Sequence, residues 1–268
     1  RFKKLSQQPN SPDEKKPFAL SVVLPAYNEE KRLPKTLISV CHYLDQRDIN
    51  YEVIVVDDGS SDATAEIVQQ FATMSSNESR SVKLLRYETN RGKGHAVRYG
   101  MQNCSGRLML FNDSDGATPI KEIERLEAAI AEGADLAIGS RAMFSEDTAI
   151  KTVWYRKLMG RIFNGLVNFL VLPGIADTQC GFKLFTREAA RKVFSLQTAE
   201  RFSFDIEILF IALNLGYKIK EVPINWVNVP GSKVNLLRDT ISMFRDVIRF
   251  RLKSIKGTYD INQDQTDS

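Results

Sequence analysis

Leu108-Met109-Leu110-Phe111-Asn112-Asp113-Ser114-Asp115-Gly116-Ala117-Thr118-Pro119 carries an apolar run into a turn that opens a helical pattern. A strand places alternate side chains on one face, so Asp113 and Asp115 are expected to point together at the strand's mouth. Two close carboxylates repel each other. The pairing becomes favourable when a hard divalent cation lies between them and an anionic ligand. A diphosphate suits such a half-filled coordination sphere.

On either side of this stretch, strands alternate with helices. Leu20–Leu24 reads as a buried strand, followed by Pro25-Ala26-Tyr27-Asn28-Glu29 and an amphipathic helix from about Glu30 to Leu44. Tyr51–Val56 is a second strand, ending in Asp57-Asp58-Gly59-Ser60-Ser61-Asp62, where Ser61 or Asp62 is placed to cap a helix over Ala63–Phe71. Val82–Tyr87 is a third strand, and Asn90-Arg91-Gly92-Lys93-Gly94 leads into a helix ending near Gln102. Arg107–Phe111 is the fourth strand, then a helix over Ile120–Ala131 and a fifth strand over Asp135–Gly139. This alternation predicts an α/β domain with a mostly parallel sheet and helices on both faces. Such sheets bind ligands at the carboxyl ends of their strands, and the loops after strands one to four all fall on that edge.

Beyond Ser140-Arg141 the pattern loosens. It predicts a helix near Trp154–Leu170, a short strand after Asp177-Thr178-Gln179-Cys180-Gly181-Phe182-Lys183, helices near Arg187–Phe194 and Phe204–Leu215, and an added strand over Lys218–Ile224. Residues 1–17 are polar and read as a disordered or juxtamembrane lead, and 257–268 as a disordered acidic tail. The chain starts at Arg1 with a basic, polar lead, a pattern open to two readings: a shortened chain, or a mature form from which an upstream anchor has been removed.

With 268 residues, 43% hydrophobic and 26% charged, the chain suits one large domain with an appendage. Net charge is only +4, but between Lys233 and Lys256 seven Lys/Arg face two Asp. Cys41, Cys104 and Cys180 are odd in number and widely spaced, which suits reduced thiols on the cytosolic side. Two histidines and no Cys-x-x-Cys speak against zinc. No apolar run reaches the roughly 18 residues of a spanning helix. The nearest, Ile162 to Ile175, is broken by Asn164, Gly165, Asn168, Pro173 and Gly174.

In their order along the chain, Pro25-Ala26-Tyr27-Asn28-Glu29, Asp57-Asp58-Gly59-Ser60-Ser61-Asp62, Asn90-Arg91-Gly92-Lys93-Gly94 and Asp113-Ser114-Asp115 resemble the motifs of family 2 glycosyltransferases. The resemblance runs from about Phe18 to Lys256. It implies the GT-A nucleotide-sugar-binding fold over 18–232, followed by amphipathic helices over 233–256. Asp115-Gly116-Ala117-Thr118, Asp177 to Lys183 and Pro230-Gly231-Ser232-Lys233 resemble the subgroup that glucosylates a polyprenyl phosphate, dolichyl phosphate. The implied donor is UDP-glucose.

On that basis each loop acquires an expected role. Pro25, Tyr27 and Glu29 sit where the first loop can grip a nucleoside, Val56 lines the base pocket, and Asp58 accepts a hydrogen bond from the base. Asp57 shapes its loop and Asp62 caps a helix. Gly92-Lys93-Gly94 lets backbone N–H groups approach an anion while Lys93 adds charge. Asp113, Ser114 and Asp115 face the diphosphate, with Asp113 and Asp115 holding Mg²⁺ or Mn²⁺. Arg141 also faces the diphosphate, its structural alternative being a pair with Asp135 or Glu146, and Lys233 is a loop cation for donor or acceptor phosphate. Asp205 is a candidate general base, with pairing to Arg201 or Lys183 as the structural alternative. Mannosyl-transferring relatives carry a glutamine ligand where this chain has Ala117, which favours the glucosyl subgroup.

From Leu237 to Ile255, apolar Leu237, Ile241, Phe244, Ile248, Leu252 and Ile255 recur at helical spacing beside Arg238, Arg245, Arg249, Lys253 and Lys256. That pattern predicts an element lying on a membrane surface, or else a terminal helix packed on the sheet with a solvated basic flank. No aromatic-studded basic strand accompanies it, which speaks against nucleic acid. The expected location is a membrane, with the site facing the cytosol: the endoplasmic reticulum in a eukaryote, the plasma membrane in a prokaryote. Two other readings are a GDP-mannose-dependent polyprenyl-phosphate mannosyltransferase and a non-catalytic nucleotide-sugar-binding membrane partner.

Overall fold

A computed structural model describes residues 18–77, 79–143, 150–151, 165, 167–168, 170–229, 236–255 and 259. Its frame is a seven-stranded sheet of order β3-β2-β1-β4-β7-β5-β8, built from β1 (Leu20–Ala26), β2 (Tyr51–Asp58), β3 (Arg80–Tyr87), β4 (Leu108–Asn112), β5 (Leu136–Ser140), β7 (Phe182–Thr186) and β8 (Ile219–Pro223). β1 pairs in parallel with β2 and β4, and β2 with β3. β7 lies antiparallel between β4 and β5, while β5 and β8 are parallel. All strands but β7 therefore end on one edge. β6 (Ile150–Lys151) and β9 (Trp226–Val227) form a separate parallel pair that the sequence pattern did not show.

The central strands β1 and β2 are buried along their whole length, as near-continuous apolar runs in a two-sided parallel sheet should be. Edge strand β3 is only partly covered. On one face Leu33, Leu37 and Val40 of α1 (Leu33–Asp45), Val68 of α2 (Thr64–Ser75) and Leu126 of α4 (Ile123–Ala131) meet Val22, Leu24 and Val53. The other face receives α3 (Lys93–Gln102), α5 (Arg187–Leu196) and α6 (Phe204–Asn214). α6 is buried nearly all round, so it shows no amphipathic stripe.

Element boundaries shift by a few residues from the sequence reading. The first helix starts at Leu33 rather than Glu30, with Pro34 in its first turn, where a missing N–H costs nothing. The second helix starts at Thr64. Its formal N-cap, Ala63, has no side-chain acceptor, and Asp62 instead accepts the Thr64 N–H at 3.0 Å. The helix expected over Trp154–Leu170 lies largely outside the described residues, as do Lys233, the lead and most of the tail.

α7 (Leu236–Ile255) is one helix with two apolar stripes. Met243, Val247 and Phe250 are buried in the core face shared with α6. Phe244, Ile248, Leu252 and Ile255 are exposed, the last by 74%. Among the described residues no helix is long and apolar enough to cross a membrane. The three cysteines are free and buried, and burial pushes the Cys104 and Cys180 thiols up to about 12.

Candidate active site

The loops on the carboxyl edge are bonded to one another in sequence order. Loop one follows β1. Asn28, in a left-handed conformation (φ 51°), donates its N–H to Ser60 Oγ at 2.8 Å and accepts the Ser61 N–H at 2.9 Å. The Glu29 N–H donates to Thr64 Oγ1 at 2.8 Å, fastening loop one to α2. Tyr27 is 37% exposed at the rim. The Glu29 carboxylate takes the Arg32 guanidinium, with Nε–Oε2 at 2.6 Å. Arg32 was not singled out in the sequence. Burial lowers its pKa, but Glu29, Asp115 and Asp113 outweigh that, with Glu29 the strongest influence, so its charge belongs to the field around the carboxylate pair.

Loop two joins loop three through Asp58, which is buried. Its carboxylate accepts the side-chain amide of Asn90 and the N–H groups of Arg91 and Gly92, all at 2.8 Å. Burial raises the pKa of Asp58, and the two backbone donors pull against that. Three of a carboxylate's roughly four acceptor positions are thus used within the chain, so Asp58 organises the next loop whatever else it meets. Val56 was expected to line a base pocket, yet its side chain is wholly buried in the core beside Gly100. It faces α3 in a strand that is covered on both sides. Asp57 accepts the Ser60 N–H at 3.0 Å and pairs with Arg86 at 3.1 Å, the loop-shaping role expected of it.

Loop three carries Lys93. The two glycines around it do something the sequence did not show. A Cβ on Gly92 (φ +108°) would stand 2.6 Å from the Glu200 carbonyl oxygen, and one on Gly94 would stand 2.5 Å from that of Ala199. They admit the backbone of residues 199–201, which caps this corner of the site, and the Gly92 N–H is already given to Asp58. Lys93 Nζ lies 2.6 Å from Asp113 Oδ1, joining loop three to loop four. Burial lowers the Lys93 pKa, but Asp113 and Asp205 more than offset it.

Asp113 and Asp115 lie beyond the end of β4, in a turn rather than on the strand, so the turn and not strand alternation brings them together. Thr36 of α1 donates its hydroxyl to the Ser114 carbonyl at 2.8 Å, and Asp115 accepts the Ala117 N–H at 2.9 Å. The Asp113 N–H donates to the Gly181 carbonyl at 2.9 Å. Burial and then the charge of Asp113 raise the pKa of Asp115. An acidic pair in that state is relieved by a divalent cation, and hard oxygen donors suit Mg²⁺ or Mn²⁺. Among the described residues no group of three or more His, Cys, Asp or Glu gathers to hold a metal. Asp113 and Asp115 are two oxygen ligands that such a cation could take.

Arg141 follows β5. Its partner is Asp177 rather than Asp135, met by Nε at 2.7 Å, Nη2 at 2.8 Å and the backbone N–H at 2.9 Å, while Glu146 lies outside the described residues. The guanidinium also lies 5.5 Å from the Trp226 ring centroid. Burial opposes its charge, but Asp177 and more distant Asp113 raise its pKa, while Arg141 holds Asp177 low against burial. Asp177 stood in a quoted motif without a role, and charge spacing alone could not pair residues 36 apart.

Asp205 is buried and meets Lys183 Nζ at 2.5 Å. Lys183 also donates to the Cys180 carbonyl at 2.7 Å and faces the Phe111 ring at 5.2 Å. Burial raises the Asp205 pKa, with Lys183 and then Lys93 opposing. The sequence's alternative partner for it, Lys183, is the one found.

Residues 21–194 match glycosyl transferase family 2, and the chain belongs to that family. It shares 39% identity with the dolichyl-phosphate beta-glucosyltransferase of Dictyostelium discoideum, over 90% of this chain and 76% of that protein. With the enzyme of that name from Mus musculus it shares 40%, over 91% and 78%. The fold is that of glucosyl-3-phosphoglycerate synthase from Mycobacterium tuberculosis, solved with Mn²⁺, UDP-glucose and phosphoglyceric acid. The TM-score is 0.64 at 23% identity, covering 88% of this chain and 79% of that one.

Proposed function

We propose that this chain transfers glucose from UDP-glucose to dolichyl phosphate with inversion, giving dolichyl β-D-glucosyl phosphate. The observation that carries the reading is the Asp113–Asp115 pair on the carboxyl edge of the sheet, with Lys93 bonded to Asp113 and Arg141 within reach of its charge, in a chain whose relatives are named for this reaction.

Asp113 and Asp115 would hold Mg²⁺ or Mn²⁺, which would neutralise charge on the departing diphosphate. Lys93 and Arg141 add fixed positive charge, Arg141 preorganised by Asp177 and Trp226 so that little rearrangement accompanies the reaction. Pro25, Tyr27 and Glu29 grip the nucleoside, and Asp58 accepts a hydrogen bond from its base. An acceptor phosphate oxygen bonds to the anomeric carbon on the face opposite the nucleotide as the bond from that carbon to UDP breaks. A phosphate oxygen is already anionic near neutrality and needs no base. Asp205, locked on Lys183, fits that economy.

The catalytic domain spans 18–232, with Lys233 a phosphate-facing cation. The enzyme works at a membrane with its site towards the cytosol, at the endoplasmic reticulum in a eukaryotic cell. The exposed stripe Phe244, Ile248, Leu252 and Ile255, beside exposed Arg245, Arg249 and Arg251, supports α7 as the element that lies on lipid. Transfer assays pairing UDP-glucose and GDP-mannose with dolichyl and undecaprenyl phosphate test the reading. Glucose transfer from UDP-glucose is expected, and turnover of GDP-mannose alone would replace it with a mannosyl activity.

A further inference from the structure

Glu207 of α6 is wholly buried, and its carboxylate is saturated by one loop and one distant residue. It accepts the Thr198 N–H at 2.8 Å, the Ala199 N–H at 2.6 Å, the Thr198 hydroxyl at 2.6 Å and the Tyr259 hydroxyl at 2.8 Å. Two further bonds reach the same loop from α7. Lys253 Nζ donates to Thr198 Oγ1 at 2.6 Å, and the Ser203 hydroxyl donates to Asp246 at 2.8 Å. The C-terminal segment therefore grips residues 198–203 from outside.

From inside, the same loop is moulded onto the segment that carries Lys93. The Glu200 carbonyl accepts the His95 N–H at 3.0 Å, and Gln197 donates its amide to the Gly94 carbonyl at 2.9 Å. Arg91 pairs with Glu200 at 2.5 Å. Gly92 and Gly94 leave no room for a side chain against this loop. A lysine ammonium rides on a flexible four-carbon stem, so its position is set by the backbone that launches it. Here that backbone is bracketed by residues 197–201.

We propose that Glu207 and Tyr259 are positioning residues that seat Lys93 against Asp113 through the loop 197–201, so that the C-terminal segment helps to set the cation of the donor site. The inference rests on the donor-site reading above. Coupling through a chain of packed groups is established by non-additivity, not by proximity.

The test is a double-mutant cycle in the full chain, with Tyr259→Phe and Lys93→Met alone and combined. It is read by calorimetric UDP binding in Mn²⁺ and by kcat and KM for glucose transfer. Tyr259→Phe is expected to weaken UDP binding or lower kcat by about tenfold, since small displacements of a positioned group are costly. In the Lys93→Met background the same substitution should change either quantity less than about twofold, because its route of action is gone. Equal fold-losses in both backgrounds, or no loss in Tyr259→Phe, overturn the proposal. Lys253→Met, which cuts the grip at an exposed contact, repeats the cycle if Tyr259→Phe lowers the melting temperature. A non-additive UDP cycle in a wild type that transfers no glucose would keep the coupling and discard the substrate assignment. An additive cycle in an active wild type would do the reverse.

Discussion

The carboxyl group of Asp113 rests on the α-carbon of Gly181: a Cβ built on Gly181 would stand 2.2 Å from the Asp113 carboxyl carbon. β7 runs antiparallel beside β4, and this brings Gly181, just ahead of it, against the turn that follows β4. Absence of a side chain at 181 is thus a condition for the rotamer of a candidate metal ligand 68 residues earlier. Gly181→Ala should force Asp113 to turn away and lower kcat/KM by about 10²-fold, the scale expected for a misplaced catalytic group. Steady-state kinetics with a melting curve checks this. A folded variant with wild-type turnover would show that the contact does not set the carboxylate.

Asp115→Asn should lower turnover by roughly 10²–10³, by analogy with loss of one preorganised electrostatic contact. EDTA should silence the wild type, and Mg²⁺ or Mn²⁺ restore it. Stability should move the other way. The folded pKa of Asp115 lies above its ordinary 3.8, so in that window the folded chain binds the proton better than the unfolded chain. Its stability contribution is then complete below the ordinary value and is lost as pH rises through the raised one. In metal-free protein at pH 7, Asp115→Asn should therefore melt higher, by about 2–4 °C for each kcal/mol relieved. The gain should vanish near pH 3. Melts across that range in EDTA decide it, and a lower melting temperature for the variant at pH 7 contradicts the sign.

Removing the Asp58 carboxylate strands three donors, at Asn90, Arg91 and Gly92. Asp58→Ala should cost about 1.5–3 kcal/mol for each charge-assisted bond not replaced by water. Because loop three carries Lys93, both donor KM and kcat should suffer. Competition between UDP-glucose and other nucleotide glucose donors separates the two roles. If base selectivity is untouched while stability falls, Asp58 organises the loop without reading the base.

For α7 the two stripes predict opposite phenotypes. Phe250→Ala should destabilise the fold by about 3–5 kcal/mol, as a large buried side chain does. Replacing exposed Arg245, Arg249 and Arg251 with Ser should leave the melting temperature within about 2 °C, since exposed substitutions change little. It should weaken binding to anionic vesicles by about 1 kcal/mol per residue, chiefly at low salt. Lys253 is left out of this set because it bonds Thr198. Unchanged vesicle co-sedimentation would remove the membrane role from this face.

Order along the chain by itself determines much of this protein's architecture. Apolar runs such as Leu20–Leu24 and Tyr51–Val56, separated by helical periodicity, demand a two-sided parallel sheet, and that topology collects the loops after β1 to β4 on one edge. Asp113 and Asp115 were legible because they are neighbours in sequence. What was not legible depends on partners far apart in the chain. Asp177 beneath Arg141, Gly181 under Asp113 and the 199–201 backbone over Gly92 and Gly94 all meet only once β7 is inserted antiparallel between β4 and β5 or α6 is packed behind them. Local pattern marks β2 as a buried strand, yet that Val56 packs against α3 rather than lining a pocket is set by the helix laid over it. Whether a buried charge finds a counter-charge, and whether a glycine is there for flexibility or for contact, is decided by tertiary packing. Desolvation makes each such charge costly until a specific partner arrives.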